Sequence, residues 1–243
     1  MIEQEWLACT DPQPMLEFLK GRISERKLRL FSVACCHRIS HLIVDHRLQN
    51  VVKIAEQFAD GQVAEEKMRT AHTTAQSAGR SVKGVRPTKT PEVARAAARQ
   101  AAMAAYHASA PRMQDHAAQA STASADAWKL GVVNADLAKN LSNPGRGMAE
   151  RARECAHQSA ILRDMFIPFH GAAIALPFLQ WNETCVVRIA GSIYWERRFQ
   201  DLPILADALE EAGCTDADIL NHCRQPGEHV RGCWVVDLLL GKS

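Results

Sequence analysis

No part of this sequence runs unbroken in apolar residues for the length that a membrane-crossing helix requires. Neither sign of charge prevails. The chain sets 29 Lys and Arg against 27 Asp and Glu, a formal charge of +2, so no field over the whole protein marks it for nucleic acid or a membrane surface. Any such binding has to be local. The start, MIEQEWLACTDPQPMLEFLKG, lacks the basic residues and continuous apolar run of a secretory signal, from which we expect a cytoplasmic protein. Eight cysteines in 243 residues are too sparse for the disulfide framework of a small secreted domain. We expect them as reduced thiols, most of them small core fillers. Alternation of period two is missing, which argues against a sheet. Missing too are a nucleophile elbow, a phosphate loop and an acid/base signature, so the sequence points away from an enzyme without excluding one.

What is present is helical. With 47% hydrophobic residues the chain can bury a sizeable core. We expect an all-α, multi-helix bundle, a single helical domain over 1–243, with sub-boundaries at 79–91 and 167–182. Thr10 or Asp11 can cap a first helix with Pro12 in its opening turn, ending near Leu19 and Gly21. Ser24 can cap a long helix through SERKLRLFSVACCHRISHLIVDHRL, on which Leu28, Phe31, Cys35, Ile39 and Leu42 share one face. Asp60-Gly61 divides two further helices. Between 91 and 139 alanine dominates, which predicts two long, closely packed helices broken near Pro111. IPFHGAAIALPFLQW, with two prolines and no period, reads as an irregular connection before a helix that starts at Asn182 or Thr184. A hairpin should follow, with Thr215 capping TDADILNHCR, a turn at Pro226-Gly227, and EHVRGCWVVDLLLG as the last helix.

That hairpin carries the strongest chemical pattern. Cys214, Cys223 (or His222), His229 and Cys233 crowd together, and on a helix the spacing of four puts His229 and Cys233 on one face, where they can bind zinc. Against zinc, the spacing is not the paired CxxC or HxxxH of common modules. Val236 and Leu240 share the same face, as expected of a buried hairpin that uses cysteine as filler and histidine as a hydrogen-bonded tip. His37 and His41 are a secondary pair, with Asp45 a further turn on. Three successive turns of one helix spread these residues over about 12 Å, so at most the two histidines can share an ion. Neighbouring Cys35 and Cys36 point about 100° apart on a helix, which argues against a thiol-exchange pair. A basic stretch with Arg80, Lys83, Arg86, Lys89, Arg95 and Arg99 can meet phosphates, but it lacks interleaved aromatics. EHVRGCWVVDLLL is too apolar for a recognition helix.

EWLACTDPQPMLEFLKGRISERKLRLFSVACCHRI and LPILADALEEAGCTDADILNHCRQPGEHVRGCWVVDLLLGKS resemble an uncharacterised bacterial family of many helical paralogues with no assigned activity. The resemblance covers about the first fifty residues and the last sixty and implies the helical fold. It supplies no chemistry, and its members often carry Arg where His37 stands here. The leading expectation is a non-enzymatic interaction or scaffold protein with a protein partner. The alternatives are a zinc-binding protein built on the hairpin and, more weakly, a nucleic-acid-binding regulator using residues 80–99.

Overall fold

The computed structural model describes residues 1–81, 91–138, 145–167, 169 and 176–242. Among these the fold is all-α: twelve α-helices and no strand. No helix of the described residues is long and apolar enough to cross a membrane. The chain packs as two compact units, Met1–Ser159 and Ala160–Ser243, dividing inside a helix. Most of the expected 79–91 boundary, and residues 168 and 170–175 of the second, lie outside the described residues.

The first unit holds α1 (Glu3–Ala8), α2 (Pro12–Leu19), α3 (Glu25–Arg38), α4 (His46–Ala59), α5 (Glu65–Ser81), α6 (Pro91–Ala108), α7 (Ala117–Ala138) and most of α8 (Arg146–Met165). Asp11 caps α2 by accepting from the Gln13 amide, with Pro12 at the first helical position. Ser24 caps α3. The single helix expected from Ser24 through Leu48 is broken: α3 ends at Arg38, a 3-10 turn spans Ser40–Leu42, and α4 begins at His46. The cause is Asp45. Its carboxylate accepts from the Arg47 amide at 2.9 Å and so starts a new helix where the apolar periodicity suggested continuation.

α6 lies along α7, and α3 packs on both. Fully buried Ala101, Ala104, Ala105, Ala108 and Ala127 let these helices approach closely, while Ile39, Leu48, Val51 and Met68 fill the space beside them.

The second unit holds the end of α8, α9 (Leu176–Glu196), α10 (Leu202–Glu211), α11 (Ala217–Arg224) and α12 (Trp234–Leu239). α9 starts at Leu176, not at Asn182 or Thr184, because Pro177 suits a first helical turn. Asp216, not Thr215, caps α11, accepting from the amides of Asp218 and Ile219. The largest difference concerns the last helix. It begins at Trp234 instead of Glu228, because Gly232 takes φ 98°, a left-handed conformation that ends helical winding. Ile193, Leu205, Leu209, Val235 and Val236 form the core of this unit.

Candidate metal centre

The break before α12 creates the site. Residues 225–233 leave α11, cross Pro226-Gly227 and return without regular helix before Cys233 opens α12. Three anchors hold this segment. Arg231 donates to the carbonyls of Tyr194 (3.3 Å) and Trp195 (3.2 Å) at the C-terminal end of α9, where unpaired carbonyls await a cation. The Cys233 amide donates to the Val230 carbonyl at 2.9 Å. The Val230 amide donates to Asp164 Oδ2, also at 2.9 Å, tying the segment to the last turn of α8.

Four side chains converge as a result. Asp164 Oδ1 lies 2.5 Å from His229 Nδ1 and 3.2 Å from His222 Nε2, and His222 Nε2 lies 3.2 Å from Cys233 Sγ. One ligand atom from each residue falls within 4.8 Å of the other three. Asp164, His222 and Cys233 are buried, at 4%, 7% and 0% exposure. The two imidazoles meet edge to face with centroids 5.0 Å apart, and Trp234 covers His222 at 5.1 Å. This group can bind a metal ion. Among the described residues it is the one cluster of three or more His, Cys, Asp or Glu that converges in this way.

Without an ion, Asp164 and His229 each favour the charged form of the other, beside a protonated thiol. Burial would raise the Asp164 carboxyl, but hydrogen bonds and charge from His222 and His229 outweigh it and hold it below the ordinary carboxylate range. Burial lowers His229, but Asp164 more than compensates and leaves it raised. Burial first, and the Asp164 charge second, push the Cys233 thiol far up. A cation at the centre would reverse that last effect. With two neutral imidazoles, a thiolate and a carboxylate, the four residues carry two negative charges, which a divalent ion cancels in a buried place. His229 Nε2 is buried and has no hydrogen-bond partner, so the cluster does not satisfy itself by hydrogen bonding alone.

The same residues do not form a thiol catalytic triad. Cys233 and Asp164 both approach the one nitrogen, His222 Nε2, and Cys233 is fully buried with its thiol pushed far up, which does not suit a nucleophile that has to meet substrate. Nδ1 of His222 instead meets the Gln225 amide at 3.2 Å.

Of the residues expected as ligands, the structure brings His229 and Cys233 together with His222, the alternative to Cys223, and adds Asp164. Cys214 and Cys223 are buried nearby in the apolar core of this unit, at 3% and 1% exposure, and are not in the cluster. Burial, then the Asp164 charge, raises Cys223 to about 12, as befits a thiol that stays protonated. Asp164 was missed because no local pattern in AILRDMF distinguishes it from a surface carboxylate, and its partners lie some sixty residues on. The helix wheel that put His229 and Cys233 beside Val236 and Leu240 does not apply, since His229 precedes the helix. Gly232 was the available sequence signal for that break.

His37 and His41 are not held as a pair of ligands. His37 Nε2 faces Glu56 Oε1 at 3.9 Å, and the exposed His41 lies edge-on to Trp128. The helix break at Arg38 removes the shared face on which their pairing with Asp45 rested. Cys35 and Cys36 are both fully buried, the latter pushed up to about 12 by burial. Arg80 is exposed at the end of α5, and Lys83, Arg86 and Lys89 lie outside the described residues.

Searches against protein-family models, curated proteins and solved structures find no match to this chain.

Proposed function

We propose that the C-terminal unit is a zinc module in which Asp164, His222, His229 and Cys233 hold one structural ion, within a helical interaction or scaffold protein that is not an enzyme. The observation that carries this reading is the convergence of four ligand atoms of suitable type inside 4.8 Å, in a buried place. A tetrahedral zinc with bonds of about 2.0–2.3 Å suits one oxygen, two nitrogens and one sulfur. Four protein ligands leave no position open for substrate, which supports a structural role over a catalytic one.

Metal analysis of protein purified without added metal should give about one zinc per chain. Asp164→Ala, His222→Ala and Cys233→Ser should each abolish it, whereas Cys214→Ala and Cys223→Ala should retain it. Wild-type protein that neither carries zinc nor takes it up would overturn the reading. A cobalt-substituted protein separates the structural from the catalytic version, because only an open site changes its visible spectrum when small anions are added.

The scaffold half of the proposal is supported by apolar side chains that the same unit leaves exposed, Trp195 at 46% and Ile204 at 57%. If a protein partner docks there, Ile204→Asp should abolish its binding while leaving zinc content unchanged.

A further inference from the structure

A metal-bound imidazole gives one nitrogen to the ion and must place the proton of the other on an acceptor, which fixes the tautomer and the ring orientation. In this cluster the residue at the outer nitrogen of His222 is Gln225. Gln225 is the C-cap of α11: its amide still donates to the Asn221 carbonyl at 2.8 Å, but its ψ of 140° turns its own carbonyl away from the helix axis. Its side-chain amide lies 3.2 Å from His222 Nδ1, the nitrogen facing away from Asp164 and Cys233.

We propose that Gln225 is the positioning residue for the His222 imidazole, its side-chain oxygen taking the Nδ1 proton when Nε2 binds the ion. The inference rests on the zinc reading above. The oxygen and nitrogen of the Gln225 side chain exchange places by rotation about one bond, so its oxygen can face His222 Nδ1–H when Nε2 binds the ion. The same residue ends α11 and sets the His222 ring, which makes the helix terminus part of the metal site.

Zinc affinity measured by competition with a chromophoric chelator tests the assignment. Gln225→Leu removes the acceptor and should weaken binding by about 10–100-fold, while Gln225→Glu, which keeps an acceptor, should stay within a few-fold of wild type. Gln225→Met serves as a second variant without an acceptor should the leucine chain fold poorly. Nitrogen-15 spectra of the zinc-loaded wild type should show His222 protonated at Nδ1, with that Nδ1–H signal exchanging faster in Gln225→Leu. Equal affinity in Gln225→Leu and wild type, equal losses in the leucine and glutamate variants, or the opposite His222 tautomer would overturn the assignment and leave the zinc site standing. A wild-type chain without zinc affinity would overturn both.

Discussion

Each unit buries an acid against basic groups, and the two do it differently. In the first unit, Glu154 has 1% exposure, and both its oxygens accept from Arg38 Nε, at 2.9 and 3.0 Å. Gln158 adds a bond at 3.1 Å and in turn accepts from Ser121 at 2.6 Å. Arg29 in the same unit donates to the carbonyls of Ala108, Ala110 and Pro111 and stacks over Phe58, its basicity lowered to about 10 by burial despite Glu25. These networks give the buried Glu154 and Arg29 side chains their partners from the protein itself. In the second unit Asp164, His222, His229 and Cys233 crowd their lone pairs around one point and leave a buried nitrogen without a partner. In the zinc reading proposed above, a cation completes the second cluster and has no part in the first network.

The sharpest way to break this contrast is to remove the proposed ion. Chelation, or Asp164→Ala, should unfold or loosen the C-terminal unit, since a structural zinc is worth about 10–16 kcal/mol of apparent binding in small zinc domains. Thermal unfolding monitored with and without chelator should show one transition moving down strongly while that of the first unit stays in place. If both transitions ignore the chelator, the two networks are of the same kind.

The complementary break is in the first unit. Arg38→Met leaves Glu154 buried without its counter-charge and should cost about 3–5 kcal/mol, with no dependence on chelator. The double variant Arg38→Met/Glu154→Met should recover most of that loss, because a buried ion pair contributes little beyond an apolar pair of similar size. Denaturant unfolding of the three proteins measures it. A double variant as unstable as the single one would show that the network does more than balance its own charge.

The sequence disclosed these two regions unequally, for a physical reason. Helices follow from local patterns, and Asp11-Pro12, Ser24 and Asp60-Gly61 mark ends that the structure places where expected. Boundaries failed where a cap competed with periodicity. Asp45 starts α4 inside a run that reads as continuous helix, and Gly232 delays α12 by six residues. The hairpin was legible as a Cys/His concentration, and His229 and Cys233 do belong to the cluster. Choosing their partners was not a local question. Asp164 reaches the site because α8 ends beside the 225–233 segment, and His222 rather than Cys223 faces it because of the phase of α11, which depends on Asp216 as the cap. One residue of error at that cap rotates the helix by about 100°.

A smaller effect probes the alanine packing that lets the first unit close without bulky residues. Ala104 has 0% exposure within the α6 contact layer. Ala104→Leu should force the helices apart and cost about 1–3 kcal/mol, read as a lower denaturation midpoint with an unchanged slope. Ala208→Leu, at the 8% exposed edge of the second core, should cost less.

The smallest expected effect is a pH response confined to the first unit. His107 Nδ1 meets His116 Nδ1 at 2.9 Å, His72 stacks on Tyr106 with centroids 4.5 Å apart, and burial first, with His116 and His72 adding, lowers His107 to about 4. A folded-state value below the unfolded value of 6.5 means that between these limits the unfolded chain binds more protons. The contribution of His107 to stability is therefore complete above about pH 6.5 and is lost as the pH falls toward about 4, below which both states carry the proton. Because the ring is only half buried, solvent screening should limit the change to about 1 kcal/mol. His107→Gln should flatten the profile of the first unit over this window in denaturant unfolding. An unchanged profile in that variant would show that the acid sensitivity resides in other groups.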